Sequence, residues 1–286
     1  MKPAFQKDET FLADIRAAEQ SAEALHVWWL GQSGFLVAWN GHRLLFDPYL
    51  SDSLTKKYAD TYKPHVRLTE RVIAPERLEG IAVVTSSHNH TDHFDAETLL
   101  PLIKSNPRIN LVIAEANRDF VVERLGVARD WPHGLNGGDW LRLGEFTFRG
   151  VPSAHDLVET DAAGRHKFLG FVVQFGPWTL YHSGDTRWYD GLEARLKRFR
   201  IDVGLLPING WAPERRVAGN LNIQEAVSVG LNTGMALVVP HHFDMFAFNT
   251  ADPEAFRADA QRRGLIFRIL RNGERLTLRH DERKPA

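Results

Sequence analysis

The chain has 286 residues, with 35 Lys and Arg against 36 Asp and Glu, thirteen His and no Cys. A net charge of -1 excludes the marked basic excess of most nucleic-acid binders, and a hydrophobic content of 43% excludes a disordered chain. Without Cys there is no disulfide, no thiolate nucleophile and no Cys-held metal, so any metal must be bound by imidazole and carboxylate.

Residues 1–25 are charged throughout and lack the apolar core of a signal peptide. No window reaches the roughly eighteen apolar residues of a membrane span. The expectation is a soluble, cytoplasmic protein with no membrane span, and a homo-oligomer is left open. Phe11, Leu12, Ile15, Ala18, Ala22 and Leu25 recur at three- and four-residue spacing, which predicts a helix, an N-terminal helical extension over 1–25. Two apolar runs, 27–31 and 33–39, precede Asn40-Gly41, whose pairing of turn residues predicts a type I′ hairpin into 42–47. The stretch 51–78, with Pro64 and Pro75, reads as loop with short helices.

From Ile81 strands and helices alternate. IAVVTSSH and NLVIAE read as strands, AETLLPLIK and NRDFVVERLG as helices, the latter closed by Gly126. A strand-rich block follows: LRLGEFTFRGVP, then FLGFVVQF, a Gly176-Pro177 turn and WTLYHSGD. Then come a helix (GLEARLKRF), a strand (DVGLLPI), a helix capped near Asn222, a strand (MALVVP), a helix from Pro253, and a second predicted hairpin at Asn272-Gly273. Hairpins at both ends with strand–helix units between them fit an α+β domain over 1–286, two mixed sheets face to face with helices outside.

The chemistry concentrates at strand ends. His88, His90, Asp92 and His93 crowd into SSHNHTDHF immediately after the apolar strand at 81–85, where a loop can project side chains into a cleft. Imidazole and carboxylate suit zinc, manganese or iron. Three further strand ends carry candidate ligands: His155 in SAHD, Asp185 in SGDT with Gly184 allowing close backbone approach, and His241-His242 after MALVVP. Several other residues are candidates with weaker signals. His182, Asn209, Trp211 and His241 are placed to line a substrate pocket, and Asp47 and Asp244 to orient ligand histidines from behind. Arg165 and His166 on a Gly-containing loop read as solvated charge, and Trp28, Trp29, Trp178 and Trp188 as core or cleft wall.

These motifs, in this order, resemble the metallo-β-lactamase fold superfamily. VWWLGQSGFLV, YHSGDTRWYDG and VVPHHFDMFAFNTADPEAF are similar to the L-ascorbate-6-phosphate lactonase branch, while SSHNHTDHFD and GRHKFLGFVV are also similar to N-acylphosphatidylethanolamine phospholipase D. The likeness spans about residues 26–260. It implies a four-layer αββα sandwich and two divalent metal ions. His88, His90 and His155 would hold the first, and Asp92, His93 and His242 the second, with Asp185 bridging. In this chain His155 stands where the lactonase branch lacks a clear His, which matches the general dinuclear pattern instead. Two divalent ions, two carboxylates and a bridging hydroxide leave a net charge of about +1, which favours a small anionic substrate. The resemblance therefore implies a metal-dependent hydrolase whose metal-bridging hydroxide attacks a lactone or carboxylic ester of sugar-phosphate type, with Asp92, Asp185 and His242 as catalytic residues. Alternatives are a phosphodiesterase of the same fold and a non-catalytic metal-binding or regulatory protein. Two relatives fit less well: diiron flavoproteins carry Glu where this chain has His90, and nucleases carry basic surfaces and an inserted domain.

Overall fold

Alternation along the first strands decides the architecture. In β1 (Leu25–Gly31), Leu25, Val27 and Trp29 enter one apolar cluster while Trp28 and Leu30 enter another. The next strands split in the same way. In β2 (Gly34–Trp39) Phe35 and Val37 part from Leu36, and in β3 (His42–Phe46) Leu44 and Phe46 part from Leu45. In β4 (Ile81–Ser86) Val83 parts from Val84, and in β5 (Asn110–Ala114) Val112 and Ala114 part from Leu111 and Ile113. Strands apolar on both faces must be covered on both, so the sheet they form needs a second sheet on one side and helices on the other.

The structure is a computed structural model describing residues 1–215 and 217–280. Its later strands are β6 (His133–Leu135), β7 (Trp140–Leu143), β8 (Phe146–Pro152), β9 (Leu169–Phe175), β10 (Trp178–His182), β11 (Val203–Pro207), β12 (Leu237–His241) and β13 (Arg275–Leu278). Among the described residues, a seven-stranded sheet runs β13-β1-β2-β3-β4-β5-β6 and a six-stranded sheet runs β12-β11-β10-β9-β8-β7. Both are mixed: β3 to β6 pair in parallel, as do β10 to β12, and the rest are antiparallel.

Helices close the outer faces. Helices α1 (Asp8–Ala18), α3 (Ala96–Ser105) and α4 (Arg118–Leu125) bury Phe11, Ile15, Leu99, Leu102 and Val121 against the first sheet. On the second sheet α5 (Leu192–Leu196), α6 (Ile223–Thr233) and α7 (Pro253–Arg263) bury Leu192, Ala226, Val227 and Phe256, and α2 (Ser53–Lys57) stands apart near the site. The result is the expected helix–sheet–sheet–helix order. Local chemistry sets the helix ends: Asn222 and Glu225 form a reciprocal capping box, both bonds 2.9 Å, and Gly234 terminates α6 at φ 69°.

Three expectations change. The first helix stops at Ala18, and Leu25, counted in its periodicity, opens β1 instead; buried Phe11, Ile15 and Ala18 tie the helix into the core. The Asn40-Gly41 turn has both φ angles positive, 48° and 79°, as a type I′ hairpin requires, but at Asn272-Gly273 only Gly273 is positive. Asn272 instead turns inward and donates to the Glu70 carbonyl at 2.6 Å, so β13 pairs with β1 and Phe267 bridges to Val238. Finally, β6 was not anticipated; three residues carry no periodicity to read. Among the described residues no helix is long and apolar enough to cross a membrane.

Candidate metal centre

Parallel pairing brings the carboxyl ends of β3 and β4 together, and likewise those of β10, β11 and β12. β8 shares the direction of β10 because both are antiparallel to β9. The loops leaving these ends carry Asp47 (β3), the 88–93 run (β4), His155 (β8), Asp185 (β10), Asn209 (β11) and His242 (β12). Gly184 makes the approach possible: its φ is 59°, and a Cβ there would lie 2.6 Å from the Leu169 carbonyl oxygen and 2.7 Å from Ser87 Cβ.

Two groups of potential ligand atoms result, each with its atoms within 4.8 Å of one another: His88, His90 and His155 in one, and Asp92, His93, Asp185 and His242 in the other. In the first, His155 Nε2 is 3.1 Å from His90 Nδ1. In the second, His93 Nε2 is 3.2 Å from Asp185 Oδ1, and His242 Nε2 lies 3.6 Å from Asp92 Oδ2 and 3.5 Å from Asp185 Oδ2. Asp185 Oδ2 also reaches His155 Nε2 at 3.6 Å, so this carboxylate touches both groups. All seven residues expected as ligands converge.

Hydrogen bonds from behind fix which ring nitrogen faces the centre. His93 Nδ1 donates to Asp47 Oδ2 at 2.7 Å, and His155 Nδ1 donates to the Gly219 carbonyl at 2.8 Å, leaving both Nε2 atoms turned inward. Asp47 is buried and itself held, accepting from Thr85 Oγ1 at 2.6 Å, from the Ser87 amide at 3.1 Å and from the Ser87 hydroxyl. Asp47 thus stands behind His93, in contact with the nitrogen that faces away from the cluster. Asp244 does not: its carboxylate points outward to Lys2 at 2.9 Å.

Charge is divided unevenly between the groups. Burial, with His93 and His90 nearby, pushes His88 well below its usual pKa, and loss of solvent together with His155 brings His90 down to about 4. These rings are neutral with free lone pairs. His93 and His242 go the other way. Desolvation opposes their charge, but the Asp185 and Asp92 carboxylates outweigh it, raising His93 well above the ordinary value and His242 to about 9. Desolvation likewise opposes charge on Asp92 and Asp185, and His93 and His242 hold both well below the carboxylate range. Protons on two imidazoles thus balance two carboxylates, a role a divalent cation would take over.

The donor set fits such cations. His88 Nε2 is buried without a hydrogen-bond partner, an arrangement normally avoided, His93 Nε2 and Asp185 Oδ1 meet in a buried charge contact of 3.2 Å, and nitrogen with carboxylate oxygen is a donor set for zinc, manganese or iron.

A cleft of about 340 Å³ opens on the centre, and His90, Asp92, His155, Asp185 and His242 form its floor. Lys57, Tyr58, Lys63, His65, Val217 and Asn249 also line it. The Lys57 and Lys63 ammonium groups flank the Tyr58 ring at 5.2 and 5.1 Å, and His65 stacks on it at 4.6 Å. Lys57, Tyr58, Lys63 and His65 carry no signal in the sequence, because they lie in the irregular stretch 51–78, where no pattern distinguishes cleft from surface.

The four expected pocket residues lie elsewhere. His182 and His241 are fully buried behind the ligands: His182 stacks between Phe46 and His241 at 4.9 and 5.4 Å and donates to the Ser33 carbonyl at 2.8 Å. Asn209 acts one residue back, donating to Asn249 at 2.9 Å. Trp211 is half-exposed and covers Gly219, the residue whose carbonyl holds His155; a Cβ on Gly219 would come within 2.5 Å of it. Arg165 pairs with Asp161 at 2.7 Å and His166 with Asn136 at 2.6 Å, both away from the cleft lining. Of the four tryptophans noted, Trp28, Trp29 and Trp178 are core and Trp188 is exposed.

The centre also contains a residue that sequence reading missed. Gln32, between β1 and β2, places its amide nitrogen 2.9 Å from Asp92 Oδ2 and 3.0 Å from His242 Nε2. β1 runs parallel in direction to β3, so the strand-end pattern that marks the converging His and Asp residues extends to Gln32.

A family model described as a beta-lactamase superfamily domain matches residues 42–243. A protein named metal-dependent hydrolase from Nanoarchaeum equitans is 26% identical over 259 residues, covering 89% of this chain and 100% of the relative. Among solved structures, a metallo hydrolase from Ignicoccus hospitalis superposes with a TM-score of 0.65 at 19% identity, covering 89% of this chain and 98% of that one. An isothiocyanate hydrolase from Delia radicum gut bacteria gives 0.70 at 16% identity, covering 89% and 99%. At such identities the two structures speak for the fold alone.

Proposed function

The chain belongs to the beta-lactamase superfamily, and from that premise we propose that it is a metal-dependent hydrolase of small anionic molecules. The observation that carries the reading is the meeting of the two ligand groups at one carboxylate, Asp185, at the floor of a cleft. His88, His90 and His155 would hold one divalent cation and Asp92, His93 and His242 a second, with Asp185 shared. Bound there, the cations supply Lewis acidity and bring the pKa of a coordinated water toward 7.

The protein's own residues do the rest. Asp47 holds a His93 proton on Nδ1, and the Gly219 carbonyl does the same for His155, so in both rings Nε2 is the atom turned toward a cation, that of His93 once its own proton has left. Asp92, partly exposed, and His242 line the cleft. Lys57 and Lys63 add positive charge at the wall, and among the described residues neither makes a carboxylate ion pair, whereas neighbouring Lys56 is paired with Glu97 at 2.9 Å. A cleft of about 340 Å³ is at the small end of ligand pockets. We therefore rank a lactone or carboxylic ester bearing a phosphate or carboxylate first. A phosphodiester ranks second, since the cationic wall would accept its charge equally.

The test is a hydrolase panel on protein reconstituted with zinc, manganese or iron, comparing phosphorylated sugar lactones, acyl-homoserine lactones and phosphodiesters. Turnover of a phosphorylated lactone that chelation abolishes is the expected result. Failure of every substrate with every metal would overturn the assignment.

A further inference from the structure

Gln32 is an unusual neighbour for a set of metal ligands. Its amide nitrogen lies 2.9 Å from Asp92 Oδ2 and 3.0 Å from His242 Nε2, among the very atoms that would face a cation in the second group. The first group holds no such intruder: His88 Nε2 is buried and has no hydrogen-bond partner. Gln32 is not loosely placed, being buried with a left-handed backbone, φ 49°, a conformation non-glycine residues seldom adopt and one that clusters at functional sites. Its carbonyl accepts from the His242 amide at 3.1 Å and from Trp29 Nε1 at 3.0 Å, so the backbone is fixed and only the side-chain torsions are free.

An amide N–H and a divalent cation both seek the Asp92 carboxylate oxygen, and they cannot occupy one position between Asp92 and His242 Nε2 together. We propose that Gln32 is a displaceable placeholder in the second metal site: its amide nitrogen donates to Asp92 and stands against His242 Nε2 in the metal-free protein, and it must leave when a cation binds. It thereby lowers the affinity of that site while leaving the His88–His90–His155 site alone. The inference rests on the two-cation reading above, and it predicts the opposite of what a supporting residue would do. If Gln32 served to orient Asp92 and His242, its removal would weaken metal binding; as a placeholder, its removal strengthens it.

The test titrates Zn²⁺, and separately Mn²⁺, into chelator-stripped protein by calorimetry, comparing wild type with Gln32→Ala and Gln32→Met. Met keeps the length and fills the space without donating, which covers the case in which the Ala variant does not fold. The expected result is a second-site affinity about tenfold higher in both variants, equivalent to about 1.4 kcal/mol, with first-site affinity unchanged. A second-site affinity unchanged or reduced in Gln32→Met, with wild type still binding metal, would overturn the placeholder alone. No metal bound by wild type or by either variant would overturn the two-cation reading with it.

Discussion

Replacing Asp47 with Asn tests how the centre is held, because it alters one atom and keeps the volume. The carboxylate accepts from His93 Nδ1 at 2.7 Å on one oxygen and from Thr85 Oγ1 at 2.6 Å on the other, and the Ser87 amide approaches both, at 3.1 and 3.2 Å. An amide has one accepting oxygen. If that oxygen keeps Thr85 and the Ser87 amide, the new NH₂ faces His93 and drives the ring proton to Nε2. Nε2 is the atom 3.2 Å from Asp185 Oδ1 and the one required to be a lone pair for a cation. Loss of such an orienting carboxylate typically costs 10- to 100-fold in metal affinity, about 1.4–2.8 kcal/mol. Calorimetric titration of Zn²⁺ into stripped protein reads this directly, with metal content by mass spectrometry as a second measure. Affinity within twofold of wild type would refute the view that Asp47 sets the tautomer of His93.

Three further outcomes follow from the same geometry. Because the folded protein holds His242 at about 9, above its ordinary 6.5, this group's contribution to the stability of the metal-free protein is complete below pH 6.5 and disappears as pH rises through about 9. Urea unfolding of stripped protein from pH 6 to 10 checks it, and a midpoint that rises across this range would contradict the sign. At pH 7.5 the protons on His93 and His242 must depart when a cation binds, so binding enthalpies measured in buffers of different ionisation enthalpy should differ, as they would not without proton release. His182→Ala should destabilise the fold by about 3 kcal/mol, as loss of a buried ring does, while leaving KM for any substrate found unchanged; a raised KM with normal stability would put His182 back in the pocket.

Much of this centre was readable before any coordinates. The candidate ligands stand out because a strand end followed by His or Asp is a local pattern, and four such ends recur: SSHNHTDH, SAHD, SGDT and PHH. The sandwich was readable because hairpins near both ends of the chain flank strand–helix units, and because the motifs resemble a family with that layer order. What escaped depends on distant partners. Gln32 and His242 are 210 positions apart, and nothing near either marks the contact. The pairing of β13 with β1 joins the two ends of the chain, so the local Asn272-Gly273 signal pointed to the wrong partner strand. His182 and His241 carry the same residue type as the ligands at the same kind of position, and the alternation of side chains along the strand turned them inward to Phe46 and Ser33. Asp244 lies two residues past His242, yet its backbone, at φ 60°, carries the carboxylate out to Lys2.

The central claim is that two cations share Asp185 and drive hydrolysis. The most direct test counts metal in purified, metal-replete protein by mass spectrometry, for wild type and for Asp185→Ala, alongside hydrolysis of the best substrate from the panel. Two divalent ions per chain are expected in wild type, and in the variant a loss of bound metal and activity together. A variant that retains both, or a wild-type enzyme that hydrolyses its substrate equally well after complete chelation, would contradict it.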